Sequence, residues 1–327
     1  MKRFSLRVLQ VCGGFGLARS MSAGMARILM YHNFSGPGEA KSDYVGVAML
    51  RSQMESLRRH FNVVPLSHLV ERLNSGVPLD SHTVALTIDD GRRNCYEFCF
   101  PVLREFGISA TFFVVSSFIN GEDWVWTDKV LWLAEQPLPP NELAPSRIGL
   151  FFAMLNRMRP NARNACIEGV ASSMGIHIPK VPPLKYAPCS WGELREMADS
   201  GLVEIGSHTV THPILASLTD QESWQELTVS RAQIAAGVGR QIATFCFPNG
   251  KPQDYRDIHM QQIKDAGFSS AVVTRFGMAG NGSNCYGLPR MGISGGLDAL
   301  SFSKYLDGVE CYQARLQTAL GLGGVSP

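Results

Sequence analysis

Short apolar runs that each end in a polar turn alternate along the chain with segments of helical periodicity. The run at residues 27–31 ends at His32, and residues 49–61 then carry Leu50, Met54 and Leu57 on one face of a predicted helix. Further apolar runs predict strands at residues 84–88, 110–115, 203–207, 242–247, 270–274 and 288–293. Strands that alternate with helices in this way predict parallel βα units and therefore an α/β fold.

The alternation is interrupted between about residues 124 and 186, where helical spacing dominates and the segment ends in a Pro-rich stretch. We expect a helical insertion between two βα units there. Beyond it, Ser190 and Glu193 have the spacing of a capping box and predict the start of the next helix. The predicted organisation is a lead-in at residues 1–26 followed by one domain at residues 27–327, with the insertion inside it.

The amino-acid composition limits the classes of protein to which the chain can belong. The chain has 327 residues, 45% of them hydrophobic, which is enough for one large core. The formal net charge is only +2, and this argues against a nucleic-acid partner, for which a clustered basic face is expected. The eight cysteines are scattered and form no Cys-x-x-Cys pair, so we expect buried free thiols in a reducing compartment rather than disulfides.

The N-terminal segment resembles a secretion signal only weakly. Residues 8–18 are mildly apolar and follow three basic residues, but Gln10 and three glycines dilute the run and Arg19 ends it. The run is too short to span a bilayer as a helix. We therefore expect a cytoplasmic protein; a plain amphipathic lead-in and a peripheral contact with the inner membrane both remain open.

Polar residues follow the predicted strands at the points where those strands end. Asp89 and Asp90 close one strand, and His208 follows another. The carboxyl ends of parallel strands in a barrel meet at one face, so Asp90, His208 and His212 are expected to lie together. Two adjacent carboxylates repel each other and are costly to bury, and a cation would offset that cost. The alternative is an acidic turn that caps the following helix.

The two histidines are four residues apart, which on a helical turn puts both imidazoles on one face. With Asp90 they form a plausible three-ligand site for a divalent metal such as Zn²⁺, with positions left for water and substrate. Such a metal lowers the pKa of bound water and polarises a carbonyl group, as a hydrolase requires. A pair of surface or capping histidines is the alternative interpretation.

Residues 87–91, 207–213 and 245–250 form three motifs, and these resemble motifs of the polysaccharide deacetylases, the NodB-like proteins of carbohydrate esterase family four. Residues 87–91, Thr-Ile-Asp-Asp-Gly, resemble that family's T-F-D-D-G motif, and residues 207–213, Ser-His-Thr-Val-Thr-His-Pro, resemble H-[ST]-x-x-H-P. Residues 245–250, Phe-Cys-Phe-Pro-Asn-Gly, are similar to the F-A-Y-P-x-G variant of the third motif. Each motif alone is of limited specificity, but the three occur in the family's order and the resemblance covers roughly residues 27–295.

The resemblance implies a fold and a set of roles. The fold would be a distorted (β/α) barrel of the NodB type with a helical insertion. Asp90, His208 and His212 would hold the metal, and Asp89 would be the general base that deprotonates water. The backbone N–H of Asn249 would stabilise the oxyanion.

Two departures from the family pattern affect the catalytic assignments. Cys246 stands where the third motif usually has the Arg that orients the base, and Arg290 is our candidate replacement. The usual C-terminal L-x-H motif is missing, but one branch of the family resembles a circular permutation with this motif at the start. Residues 29–32, Leu-Met-Tyr-His, match it, so we assign His32 as the general acid; a structural histidine is the alternative. This role requires the strand at residues 27–31 to lie beside the strand that ends in Asp89 or beside the last strand near Arg290. We expect the acid near the scissile nitrogen, on the side away from Asp89.

These assignments predict a metal-dependent hydrolase that removes N-acetyl groups from a sugar or polysaccharide precursor. The expected substrate is an N-acetylated glycan or a lipid- or nucleotide-linked sugar, contacted by Trp126 and Pro248. Two alternatives remain open at this point. One is hydrolysis of a non-sugar amide or an O-acetyl ester on the same fold. The other is a glycan-binding protein without catalysis, although retention of both Asp and both His residues speaks against it.

Overall fold

The computed structural model describes residues 12–38, 43–137 and 140–309, and its strands are predominantly parallel. In chain order the strands are β1 Arg27–Tyr31, β2 Phe34–Ser35, β3 Val45–Gly46, β4 Asn62–Val63, β5 Thr83–Ile88, β6 Ala110–Val114, β7 Val203–Ser207, β8 Thr244–Cys246, β9 Ser270–Val272 and β10 Met291–Gly292. Strands β2 and β3 form a small separate sheet, and the other strands form one sheet.

Helices connect these strands and cover the sheet. They are α1 Gly14–Met21, α2 Val47–His60, α3 Leu66–Ser75, α4 Phe100–Phe106, α5 Ser116–Ile119, α6 Trp126–Ala134, α7 Ile148–Leu155, α8 Pro160–Ser173, α9 Trp191–Asp199, α10 Asp220–Val238, α11 Asp257–Asp265 and α12 Ala299–Leu306. A π-helical turn, Cys95–Cys99, leads into α4. The capping box predicted at Ser190 and Glu193 is confirmed at the start of α9.

The main sheet has the order β10-β1-β5-β6-β7-β8-β9, with β4 also paired to β5, and every one of these pairs is parallel. Leu288 forms a parallel bridge to Val272 of β9, and three residues later Met291 of β10 pairs with Leu29 of β1. The chain between Leu288 and Met291 therefore links the two edges of the sheet. This curled parallel sheet with its surrounding helices confirms the predicted distorted (β/α) barrel.

Strand β1 occupies the place in the barrel that the sequence analysis required for its chemistry. It lies between β5 and β10, and its last residue, Tyr31, is in register with Ile88 at the end of β5. His32 and Asp89, which directly follow these paired residues, consequently emerge side by side at the same mouth of the barrel.

Burial of the apolar faces stabilises this arrangement. All residues of β5 and β6 are buried, as expected for strands covered on both faces. Leu50, Met54 and Leu57 of α2, predicted to share one face, are also buried, and each contributes roughly 1.5–3 kcal/mol of hydrophobic stabilisation.

The long connection from β6 to β7 contains α6, α7 and α8, and these helices have an apolar core of their own. Its buried residues are Trp126, Val130, Leu133, Leu143, Phe151, Leu155, Ile167 and Ala171. The helical segment is therefore a packed unit on one side of the barrel mouth. The boundaries proposed for it from the sequence stay a prediction.

The last predicted strand is shorter in the structure than residues 288–293. Only Met291–Gly292 forms regular ladder pairing with β1, because Pro289 has no N–H to donate and the N–H of Arg290 donates to the carbonyl of Arg275 instead. Helix α12 ends at Leu306, shortly before Gly308 takes a left-handed conformation (φ 75°), and residues beyond 309 lie outside the described residues. The short helix α1 was not predicted.

The N-terminal lead-in is described only from residue 12, so residues 1–11, which include the start of the apolar run at residues 8–18, lie outside the described residues. Within the described ranges, none of the helices has the length and apolar character needed to cross a membrane. The seven cysteines in these ranges are all free thiols, five of them buried.

We predict that Gly206→Ala in β7 lowers the free energy of unfolding by about 1–3 kcal/mol, because it overpacks a filled core. A Cβ at this position would lie 2.5 Å from a ring carbon of Phe113 in the neighbouring strand and 2.7 Å from the Thr244 hydroxyl oxygen. Urea denaturation measures the change. The control is Gly169→Ala in α8, where a Cβ meets open space and the helix should gain about 0.5–1 kcal/mol. Wild-type stability of Gly206→Ala would contradict the packing described for β7.

Candidate active site

The carboxyl ends of the strands open into a cavity of about 530 Å³. Its chemically active lining residues come from five separate parts of the chain. They are His32, Asp89, Asp90, Arg92, His208, His212, Asn249 and Arg290. The convergence predicted from strand-end positions is therefore present in the structure.

Asp90, His208 and His212 form a compact triangle of ligand atoms. The two Nε2 atoms are 3.2 Å apart, and each is 3.5 Å from Oδ1 of Asp90. Metal–ligand bonds of about 2.0–2.1 Å in tetrahedral geometry separate neighbouring ligands by roughly 3.3–3.4 Å, close to the edges of this triangle. All three residues are buried, and the donor set of one carboxylate and two imidazoles suits a divalent ion such as Zn²⁺.

Hydrogen bonding and burial prepare the two imidazoles for this role. Nδ1 of His208 donates to the backbone carbonyl of Cys246 at 2.8 Å, which leaves the lone pair of Nε2 for a ligand. Burial lowers the pKa of His212 to about 3, so this ring is neutral at physiological pH and can bind a metal.

The helical turn expected for residues 208–212 is wrong. Thr209 and His212 have left-handed backbone conformations, with φ of 72° and 55°, which excludes a helix. The Glu226 carboxylate accepts the N–H groups of Val210 and Thr211, and the Thr209 hydroxyl accepts the N–H of His212. These side-chain acceptors stabilise a loop that still brings the two rings within 4.7 Å.

Asp89 is held by a different set of contacts from its neighbour. Arg290 donates from Nη1 to Oδ1 of Asp89 at 2.8 Å and from Nη2 to the sulfur of Cys246 at 3.1 Å. Burial alone would raise the pKa of Asp89, but the charge of Arg290 and the ring of His32 outweigh it, and the pKa is lowered. Arg290 therefore occupies the position beside the base for which it was considered, and Asp89 is ionised at neutral pH.

His32 lies nearer to Asp89 than the sequence analysis expected. We expected an acid on the side away from Asp89, but Nε2 of His32 is 3.7 Å from Oδ2 of Asp89. The in-register pairing of β1 with β5 makes the two side chains neighbours. The imidazole is 40% exposed, in contact with the cavity. Burial lowers the pKa of His32, while the charge of Asp89 acts in the opposite direction.

Sequence reasoning missed two residues that contact the site. Arg92 donates from Nη1 to Oδ2 of Asp90 at 2.5 Å, and it forms a bidentate pair with Asp128 of α6, at 2.6 and 2.9 Å. All three side chains are buried. The charge directly after the Asp-Asp-Gly motif was a usable signal for Arg92, whereas nothing in the sequence singled out Asp128.

The remaining predicted residues are divided between cavity wall and core. Asn249 lines the cavity in a left-handed conformation, φ 58°, and its backbone N–H has no acceptor among the residues that the structure describes. Trp126 contributes to the wall but is 4% exposed, and its Nε1 donates to the carbonyl of His212. Pro248 is buried, and its neighbours Phe247 and Asn249 form the wall there.

The sequence profile of the polysaccharide deacetylase family matches residues 76–271, which is more than half of the chain. The chain therefore belongs to the polysaccharide deacetylase family, as its three motifs predicted. The circular permutation stays a prediction.

Individual relatives agree with this assignment. The chain is 26% identical over 118 residues to the Bacillus subtilis (strain 168) protein YxkH, which is described as a polysaccharide deacetylase. This match covers 36% of the chain and 41% of YxkH, so the chain spans about two fifths of that relative's length.

Two solved structures share the fold at low sequence identity. The Streptococcus pyogenes deacetylase PplD in complex with acetate has a TM-score of 0.60 and 16% identity, and the match covers 87% of this chain and 99% of PplD. A de-N-acetylase from Aggregatibacter actinomycetemcomitans has a TM-score of 0.59 and 18% identity, with 86% and 99% covered. At these identities the likeness establishes the fold alone.

We predict that His208→Ala abolishes stoichiometric Zn²⁺ binding, because it removes one of three ligand atoms and leaves a cavity at the centre of the triangle. Zinc titration of metal-depleted protein by calorimetry measures this, with circular dichroism to confirm folding. The control is His177→Ala, which removes an exposed histidine from the loop after α8. Full zinc occupancy in folded His208→Ala protein would exclude the assigned ligands.

Proposed function

We propose that this protein is a metal-dependent carbohydrate deacetylase that hydrolyses the N-acetyl group of a glycan. The observation that carries the proposal is that two adjacent buried carboxylates have different partners. Asp90 faces two imidazoles in the geometry of a metal site, while Asp89 is held by Arg290 at the same cavity and is left without a role in that site.

The metal site would be formed by Asp90, His208 and His212. A divalent ion bound there, which we expect to be Zn²⁺, would polarise the acetamide carbonyl and lower the pKa of bound water. Two imidazoles and one carboxylate make three protein ligands, and this number leaves coordination positions for water and substrate.

The protein's own groups would transfer the protons and stabilise the developing negative charge. Asp89, kept ionised by Arg290, accepts the proton of the attacking water. The N–H of Asn249, a residue that lines the cavity, donates a hydrogen bond to the oxyanion as the carbonyl becomes tetrahedral. His32 protonates the amine, which is a poor leaving group unless it is protonated, and acetate is released.

The short separation between His32 and Asp89 is compatible with this sequence of steps. A carboxylate 3.7 Å from the imidazole favours its charged form, so Asp89 opposes the lowering of the His32 pKa by burial and helps His32 to carry the proton that it donates. After attack, the proton taken up by Asp89 stays within reach of His32, which shortens the path to the leaving nitrogen.

The substrate is proposed to be an N-acetylated glycan or a lipid- or nucleotide-linked sugar precursor, processed in the cytoplasm or at the inner membrane surface. The relatives named above as a deacetylase in complex with acetate and a de-N-acetylase support an acetyl group as the part released. Hydrolysis of an O-acetyl ester or a non-sugar amide by the same residues is the second candidate.

We expect the protein to release acetate from an N-acetylated chito-oligosaccharide, and Asp89→Asn to lower kcat by roughly 10²–10⁴-fold without loss of zinc, because a general base is removed while the ligand set is kept. An enzyme-coupled acetate assay, run with and without a chelator, measures both effects. Asp123→Asn, an exposed acidic residue in the helical segment, is the control. Chelator-insensitive turnover, or near-normal kcat in Asp89→Asn, would contradict the proposal.

The pH dependence of kcat/KM tests whether His32 is the general acid. A general acid must carry its proton, so activity is present below the pKa of His32 and is lost as pH rises through it. Because that pKa is lowered, kcat/KM should begin to fall below the ordinary histidine value of about 6.5. His32→Gln should lower kcat and lose this alkaline limb, whereas His177→Gln should keep it. An unchanged profile in His32→Gln would exclude His32 as the acid.

A further inference from the structure

The metal ligand Asp90 is connected to the helical segment through a buried chain of charges. One oxygen of Asp90 faces the two imidazoles, and the other accepts from Arg92 at 2.5 Å. The remaining edge of the Arg92 guanidinium is occupied by Asp128 of α6, whose two oxygens accept at 2.6 and 2.9 Å. Asp128 is 1% exposed and Arg92 and Asp90 are each 4% exposed, so water screens these charges little.

This arrangement has a cost as well as a benefit for metal binding. A guanidinium on the second oxygen restricts Asp90 to one-oxygen ligation and fixes its orientation. The same positive charge competes with a cation for the carboxylate. Asp128 offsets that competition, because it takes two of the guanidinium's hydrogen bonds and neutralises its charge.

We propose that Asp128 is a positioning residue for the metal site, acting through Arg92 to hold Asp90 available to the cation. The helical segment thereby tunes metal affinity and is more than a wall of the cavity. This proposal rests on the metal site assigned above.

Additional contacts anchor the segment to the same centre. Trp126, two residues before Asp128 on α6, donates from Nε1 to the backbone carbonyl of His212 at 3.0 Å. The first turn of α6 is consequently connected to two of the three ligand residues. Trp126 contacts the backbone of His212 directly, and Asp128 is linked to Asp90 through Arg92. A shift of this turn would therefore displace the metal ligands.

The test compares zinc affinity in three variants of the full-length protein by competition with a chromophoric chelator. Asp128→Asn keeps the shape of the side chain but removes its charge, so Arg92 is left to pair with Asp90 alone. Zinc affinity should fall roughly ten- to a hundredfold, as for other groups that support ligands. Asp123→Asn, which removes an exposed carboxylate five residues earlier, should leave the affinity unchanged.

The double variant Asp128→Asn/Arg92→Gln separates this role from a purely structural one. If an unopposed guanidinium competes with zinc for Asp90, its removal should restore part of the lost affinity. If the triad serves only to hold α6 in place, the second substitution should cause a further loss. Thermal denaturation of each metal-depleted variant confirms that affinities are compared between folded proteins.

The outcomes distinguish this inference from the proposed function. Wild-type affinity in Asp128→Asn, or a further loss in the double variant, would overturn the role of Asp128 while the metal site itself remains. Failure of the wild-type protein to bind zinc would overturn both. Weakened binding in Asp128→Asn with partial recovery in the double variant supports the proposal.

Discussion

Two adjacent buried carboxylates are the constraint on which the rest of the site depends. Asp89 and Asp90 follow one another at the end of a buried strand, and their charges could not both be kept there without compensation. The structure provides a separate arginine for each, Arg290 for Asp89 and Arg92 for Asp90, and a pair of imidazoles beside Asp90. The two carboxylates thereby acquire different surroundings, and different surroundings permit different roles.

Barrel topology supplies these partners from distant parts of the chain. Pairing of β1 with β5 places His32 next to Asp89, and the segment that closes the barrel delivers Arg290 to the same carboxylate. Cys246 occupies the position of the family's usual arginine, and its sulfur accepts from Arg290 at 3.1 Å. An arginine thus reaches Asp89 from a different part of the chain, which keeps a positive charge beside this carboxylate although the motif has changed.

The sequence predicted the parts of this site that have a local signature. Strand-end positions and motif order were sufficient to predict that Asp90, His208 and His212 lie together. The missing arginine of the third motif prompted a search for a replacement, and this search led to Arg290. The helical turn for residues 208–212 was wrong because Glu226, which supports the loop that replaces it, lies in a later helix. Asp128 was missed because its partner Arg92 is 36 residues away and only the packing of α6 brings them together. Contacts of this kind depend on tertiary structure, and periodicity does not reveal them.

The assignment of different roles to the two carboxylates is tested most directly by a crystal structure of the zinc-loaded protein, with anomalous diffraction data collected at the zinc edge. We predict one strong peak about 2.0–2.2 Å from the Asp90 carboxylate and from Nε2 of His208 and His212, with Asp89 still paired to Arg290. Asp89, His208 and Cys246 form the other group that could hold an ion among the described residues. A peak bound by that group would contradict the assignment of Asp89 as base and Asp90 as ligand.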